Sequence, residues 1–250
     1  MKLLANAIAV ALALNSVAAP PSYAASGPCS QVQGDFSICN TPEKYQITFL
    51  EVGLCETSAC TQKHVLGTSS KAFDFASVPP NSDLGQFAPA NAIIAPGSYA
   101  HLYMVWHGTV TIRGRVTLNR GNLGEQDCLT STSDLTDPNG DPIAKGVWKP
   151  VGQGSPRDIQ LDILRGRKVG DGWTDTDGST FKVMSSTEFR ATQPLKAPIV
   201  VEKGKPVGTI RIAFNVLEGI AANAYSRDGG ATYQCGITIA APSSDVRVSN

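Results

Sequence analysis

From residue 99 to residue 118, apolar and polar side chains alternate along the chain. The even positions are Ala100, Leu102, Met104, Trp106, Gly108, Val110, Ile112, Gly114, Val116 and Leu118. The odd positions are Tyr99, His101, Tyr103, Val105, His107, Thr109, Thr111, Arg113, Arg115 and Thr117. A period of two puts one set on a buried face of a β-strand and the other on a wetter face. Held straight, such a stretch would reach about 65 Å, several times an ordinary strand. Gly108 and Gly114, both of the buried parity, are therefore expected to be bends or bulges. A strand that passes from one sheet to another at such a bend suits a sandwich.

Shorter β-like runs flank this one. Tyr45–Leu54 is rich in β-branched and aromatic residues, and His64–Gly67, Ala72–Val78, Arg157–Leu164, Thr180–Met184, Ile199–Val201, Gly208–Leu217 and Tyr233–Ala240 read as further strands. In Gly208–Leu217, Ile210, Ile212, Phe214 and Val216 alternate with Arg211, Ala213 and Asn215. Pro79-Pro80-Asn81-Ser82 is a break, and Arg227-Asp228-Gly229-Gly230 is a hairpin turn before what reads as the last strand. Residues 119–158 read as loop-rich, with turn clusters at Asn119–Asn122 and Asp137–Pro142. Ser185-Ser186-Thr187-Glu188 has the letters of a capping box and predicts a turn or two of helix. Strands punctuated by Gly and Pro, with no internal repeat, predict an all-β fold: an antiparallel β-sandwich with long loops and disulfides.

The pair AFDFASV (72–78) and IIAPGSYAHLYM (93–104) resembles a pattern in bacterial surface domains with transthyretin-like sandwiches. There a short strand precedes a Pro-Gly turn whose Tyr opens a core strand; here the turn is Pro96-Gly97-Ser98-Tyr99. The resemblance covers residues 72–112 and implies a transthyretin- or immunoglobulin-like sandwich. It brings no catalytic residue.

The N-terminus changes the picture from fold to location. Lys2 is the one charge in the first 24 residues, Leu3–Ala19 is an apolar run interrupted by Asn6 and Asn15, and Ser22-Tyr23-Ala24 offers small residues for a signal peptidase. This is the layout of a secretory signal. The expected organisation is a signal peptide over 1–24, an N-terminal segment over 25–44, and a single elaborated sandwich domain over 45–250. No second hydrophobic span follows, so no membrane span is expected in the mature chain. The expected location is extracellular or at the cell surface, with the periplasm as the alternative.

All six cysteines, Cys29, Cys39, Cys55, Cys60, Cys128 and Cys235, lie beyond that signal. An even count in an exported chain favours disulfides, and six cysteines allow fifteen pairings. Proximity favours Cys55–Cys60 and Cys29–Cys39, which leaves Cys128 with Cys235 to tie the middle of the chain to its last strand. No C-x₂-C pair occurs, neither as the close pair that zinc sites favour nor as a redox motif.

Charge and chemistry add less. The chain carries 21 Lys and Arg against 21 Asp and Glu. That balance argues against nucleic acid as a partner, since such binders need a basic face. Tyr99, His101, Tyr103 and His107 form an aromatic and imidazole stripe on the odd face. With Trp173, Tyr99, His101 and Tyr103 are the candidate ligand-binding residues, since such rings stack on the apolar face of a sugar. The competing reading is that a neighbouring element covers this face and the rings pack. His101 and His107 lie six residues apart on one face, about 20 Å in an extended strand, too far for one metal. Asp171, Asp175 and Asp177 before Gly178 form a weak calcium candidate, as do Asp137, Asn139 and Asp141. Ordinary turn chemistry explains both equally. Calcium is the one cofactor considered, and otherwise none is expected. No G-x-S-x-G occurs, and Ser179-Thr-Phe-Lys182 matches S-x-x-K by letters alone.

The expected function is that of an exported structural protein, a subunit of an extracellular filament or surface assembly acting through sheet edges or an apolar patch. Its partners would be further copies of itself or other surface proteins. The alternatives are a carbohydrate-binding or adhesion module, with a glycan as partner, and a secreted hydrolase, although the chain is not expected to be an enzyme.

Overall fold

A computed structural model describes residues 38–79, 94–119, 123–136, 142–174, 178–203, 209–226, 233–239 and 242–249. The signal region 1–24, Cys29, the turn clusters at 120–122 and 137–141, Asp175, Asp177 and Arg227–Gly230 lie outside the described residues. In chain order the strands are β1 (Ile38–Asn40), β2 (Lys44–Cys55), β3 (Lys63–Thr68), β4 (Ala72–Asp74), β5 (Gly97–His107), β6 (Thr109–Arg113), β7 (Arg115–Asn119), β8 (Glu125–Thr136) and β9 (Pro142–Pro150). They continue with β10 (Ile159–Asp162), β11 (Gly172–Thr174), β12 (Thr180–Val183), β13 (Glu188–Val201), β14 (Thr209–Asn215), β15 (Ile220–Ser226), β16 (Tyr233–Ile239) and β17 (Ser243–Ser249). The fold is all-β and its pairings are antiparallel.

One sheet of six strands runs β1-β15-β16-β9-β8-β7. A sheet of nine runs β10-β6-β2-β5-β13-β12-β11, with β3 and β4 also paired to β2. β14 and β17 form a two-stranded ribbon of their own. The long alternating stretch breaks where the glycines stand. β5 ends before Gly108 and β6 before Gly114, and at Gly114 the chain leaves the nine-stranded sheet for the six-stranded one. A Cβ at Gly114 would lie 2.5 Å from the Ile220 Cδ1 methyl, so a side chain at this corner would require Ile220 to shift.

The even positions from Leu102 to Leu118 are buried, as the alternation requires. They join a core that also takes residues from β8, β13, β14, β15 and β16, so both large sheets and the ribbon share it. Phe49 sits among Phe73, Phe75, Trp106 and Phe214, with centroid distances of 5.7, 5.7, 5.3 and 5.5 Å. Most of these contacts are edge-to-face, the arrangement ring quadrupoles favour.

Several expectations change. Residues 119–158 are not mainly loop, because they hold β8 and β9, two of the longer strands of the six-stranded sheet. Ser185–Thr187 is not helical. It is a tight turn between β12 and β13, in which Ser185 Oγ accepts from Thr187 N–H at 3.2 Å and Met184 N–H donates to Glu188 O at 2.9 Å. The capping-box letters lack the apolar 3.6-residue pattern that would sustain a helix. Ala72–Val78 is a strand only as far as Asp74. The Asp74 carboxylate then accepts from Ala76 N–H and opens a 3₁₀ turn over Phe75–Ser77. The segment read as an N-terminal tail contributes β1, which pairs Ile38–Asn40 with Ala222–Ile220.

Cys55–Cys60 and Cys128–Cys235 are both formed. Cys39 is disulfide-bonded as well. Cys235 stands on β16, not on the last strand, so Cys128–Cys235 crosses one sheet rather than tying the chain's end. β9 lies between their strands, and the bridge spans it with the two Cα atoms 6.0 Å apart.

Candidate functional site

The stripe proposed for ligand binding begins on β5. Tyr103 pairs with Gly53 on one side and Thr192 on the other. Its ring lies over Gly53, where a side chain would collide with it. The Cys55–Cys60 disulfide closes the turn from β2 toward β3, and Cys55, Cys60 and Tyr103 form a second small apolar cluster with Val105. This cluster lies on the face opposite Leu102 and Met104, since neighbours along a strand point to opposite sides. Arg190 on β13 reaches back over the loop, and its Nη2 donates to Ala59 O at 3.0 Å. Tyr103 Oη donates to Glu51 Oε1 at 2.9 Å, and Lys63 Nζ bonds the same carboxylate oxygen at 2.5 Å.

Tyr103 is fully buried, at 0% exposure, and Tyr99 is 5% exposed. Tyr99 donates its hydroxyl proton to Ala95 O at 2.8 Å and packs beside His64. Neither ring is an open stacking surface; the chain's own elements cover this face. Burial, with help from the Glu51 hydrogen bond and charge and against Arg190, pushes the Tyr103 phenol far above its ordinary range. It keeps its proton and acts as a donor. Beside it, His101 Nδ1 and Thr192 Oγ1 are buried with no hydrogen-bond partner among the described residues. His107 Nδ1 accepts from Thr109 N–H across the Gly108 bend at 3.2 Å.

Trp173 lies apart from this cluster, on β11 at the end of the nine-stranded sheet. It is held between Phe181, stacked at 4.9 Å, and the Arg167 guanidinium, 4.3 Å from the ring centroid. The structure does not bring it to Tyr99, His101 or Tyr103 as one platform. Asp171 behaves as a turn residue. Its Oδ2 accepts from Lys168 N–H at 2.7 Å, and its own N–H donates to Lys168 O at 3.0 Å. Among the described residues no group of three or more His, Cys, Asp or Glu side chains could hold a metal ion.

The most deeply buried acid among the described residues was not singled out by the sequence. Asp127 on β8 is 1% exposed. Its carboxylate accepts from Thr117 Oγ1 at 2.7 Å, Gly152 N–H at 2.9 Å and Arg115 Nη1 at 3.2 Å. Burial opposes its charge, but the hydrogen bonds from Gly152, Thr117 and Arg115 and the Arg115 charge hold it below the usual carboxylate range. Gly152 belongs to the strap over residues 151–158, which leads from β9 in one large sheet to β10 in the other. Arg115 Nη2 donates to Gly154 O at 3.3 Å, and Thr130 and Arg157 exchange two hydrogen bonds of 2.7 and 2.9 Å. Beyond the strap, Lys44 and Arg113 share Asp158, and Glu43 bonds both Arg113 and Arg115. These two networks hold a loop and a strap onto sheets.

Replacing Tyr103 separates its two contributions. Tyr103→Phe keeps the ring and should cost about 1 kcal/mol of unfolding free energy, the scale of one hydrogen bond. Tyr103→Ala should cost about 3–5 kcal/mol, the scale of a fully buried ring. Urea titrations of both variants measure this, and an Ala variant as stable as the parent would contradict a core role. No family model, curated protein or solved structure matches this chain.

Proposed function

We propose that the chain is an exported structural protein of the cell surface, a transthyretin- or immunoglobulin-like β-sandwich that assembles through its sheet edges with copies of itself or with other surface proteins. One observation carries this reading: among the described residues, β14 and β17 stand as a two-stranded ribbon paired to neither large sheet. A two-stranded ribbon is marginal in water, and strands at an edge recruit further strands. The remaining support is general. Disulfides belong to oxidising compartments, and the first 24 residues have the layout of an export signal. Equal numbers of acidic and basic groups leave little repulsion between copies. Among the described residues no helix is long and apolar enough to cross a membrane.

Light scattering on the size-fractionated mature protein over a concentration series, with negative-stain images, tests the proposal. Species larger than a monomer are the expected result. A single monomeric species at every concentration would overturn self-assembly and leave only pairing with other surface proteins.

A further inference from the structure

We propose that the loop between β10 and β11 is a cleavage site for an endoprotease of trypsin-like specificity, which cuts after Lys168 and leaves two chains joined by the Cys128–Cys235 disulfide. This does not depend on how the protein assembles.

Arg165-Gly166-Arg167-Lys168-Val169 concentrates basic side chains in one turn. Arg165, Gly166, Lys168 and Gly170 are exposed, and Val169 is 67% exposed. Gly166 and Gly170 have left-handed backbone, with φ of 81° and 94°, and a Cβ on either would meet nothing within 4 Å. The loop therefore turns outward into open space at both glycines. Among the described residues neither Arg165 nor Lys168 joins an ion pair. A trypsin-like enzyme seats a Lys or Arg side chain in an acidic pocket, so an exposed cation with no carboxylate of its own to leave is what it needs. Arg165 follows Leu164, which is 4% exposed and packs over Gly108, and Arg167 lies over Trp173. Lys168, followed by the exposed Val169, has neither restraint.

A protease also takes its substrate in extended form, so the loop must open locally. Two anchors bound that opening. On one side Ile163 N–H donates to Gly108 O at 2.9 Å. On the other, Gly170 N–H donates to Val183 O at 3.0 Å and Val183 N–H to Asp171 O at 2.8 Å. Between the anchors the backbone bonds run within the turn: Arg165 N–H to Asp162 O, Arg167 N–H to Leu164 O, and Lys168 N–H to the Asp171 carboxylate. Opening residues 165–169 breaks these turn bonds and leaves the ladders of β10 with β6 and of β11 with β12 in place.

Hydrolysis adds one water across the Lys168–Val169 amide. The C–N bond breaks, the water oxygen joins the Lys168 carbonyl as a carboxylate, and Val169 gains an amino terminus. Cys55–Cys60 lies wholly before the cut, whereas Cys128–Cys235 spans it, so the cut protein holds together until it is reduced.

Brief digestion of the full mature chain with trypsin, disulfides intact, tests this. The first product should gain the mass of one water, elute with the parent on size exclusion and keep its far-UV circular dichroism. On reduction it should separate into two pieces, one beginning at Val169. Lys168→Gln removes the recognised cation and Val169→Pro fixes the backbone and removes the N–H on the leaving side, so each should lose this cut by a different route. Lys168→Arg should keep it. A first cut after any other residue, or a cut after Lys168 in Val169→Pro as fast as in the parent, would overturn the site. A product that unfolds before reduction would overturn the two-chain form.

Discussion

Gly146→Ala should keep the longer-range of the two described disulfides, Cys128–Cys235, from forming, or displace the strand between them. Gly146 lies on β9, between the strands that carry Cys128 and Cys235, and a Cβ there would fall within the van der Waals envelope of both sulfurs and 3.1 Å from Cys235 O. Both cysteines are at 0% exposure, so neither sulfur has room to retreat. The bridge closes a sequence separation of 107 residues. On the loop-entropy account, a closure of that length stabilises by about 4.7 kcal/mol. Cys128→Ala with Cys235→Ala should therefore lose about 4–5 kcal/mol. Gly146→Ala in the parent should lose at least the roughly 1–3 kcal/mol typical of overpacking, and should leave two titratable thiols where the clash keeps the bridge from forming. With both cysteines already replaced by Ala, the same glycine substitution should cost much less, because the two sulfurs it meets are gone and only the backbone oxygen of residue 235, at 3.1 Å, remains. That non-additivity is the signature of direct contact. Urea denaturation of the four chains, with thiol titration of the native proteins, measures it. Equal costs of Gly146→Ala in the two backgrounds would show that the bridge does not dictate the glycine.

The sequence made some of this architecture legible and hid the rest for physical reasons. β5, β6 and β7 were readable because three conditions coincided: strict alternation, β-branched and aromatic content, and glycines on the buried parity at the bends. β8 was not. Its sequence, EQDCLTSTSDLT, mixes Asp127 and Thr130 into buried positions, where Arg115, Thr117 and the strap satisfy them. Its ladder with β9 also shifts register between Thr130 and Thr132 and again between Thr132 and Leu135, so no single period runs through it. The turn clusters read on either side of β8 lie almost wholly outside the described residues, and the strand between them was absorbed into that loop reading. β13 was read only at its end, because Pro194 and Pro198 argue against a central strand. The structure accommodates both: the register with β5 shifts between Pro194 and Ile199, and an irregularity is where a sheet tolerates proline.

For the candidate site, parity assigned Tyr99, His101 and Tyr103 to one face but carried no information about cover, and Tyr99 joins the main core while Tyr103 joins the small cluster with Cys55 and Cys60. Whether an outward ring meets solvent depends on the Cys55–Cys60 loop and on Arg190, which lies 87 residues from Tyr103 in the chain and next to it in space. The local disulfide itself was legible from spacing. Its role in sealing Tyr103 was not, since that requires knowing that β2 and β13 flank β5. Asp127 was invisible for the same reason. A lone Asp in a polar run carries no mark of burial, and its partners Arg115 and Gly152 come from different elements.

Asp127 also sets the expected response to acid. Its folded carboxyl is held below the ordinary carboxylate value, and so is that of Asp158, chiefly by the Lys44 hydrogen bond. A carboxyl whose pKa is lower folded than unfolded stabilises the fold above its unfolded value, about 3.9. That contribution is lost as pH falls through the folded value. Stability should therefore hold from neutral pH to about pH 5 and decline below about pH 4. Asp127→Asn should flatten this decline, because the group that titrates is gone, while lowering stability at neutral pH. Asp127→Ala goes further: it leaves Thr117, Gly152 N–H and Arg115 without their shared acceptor. Removing one partner of a buried charged pair costs about 3–5 kcal/mol, and the partial exposure of Arg115 reduces this to about 2–4 kcal/mol. The loss should be local before it is global. Hydrogen exchange at the Gly152 and Arg157 amides should accelerate in Asp127→Ala, because both donate to β8 and anchor the strap there. Asp158→Asn is the control. It sits on the exposed part of the network, so its effect should be smaller and should shrink with added salt. Unchanged exchange at Gly152 and Arg157 in Asp127→Ala, or an acid decline as steep as the parent's in Asp127→Asn, would mean that the strap is held by something other than this carboxylate.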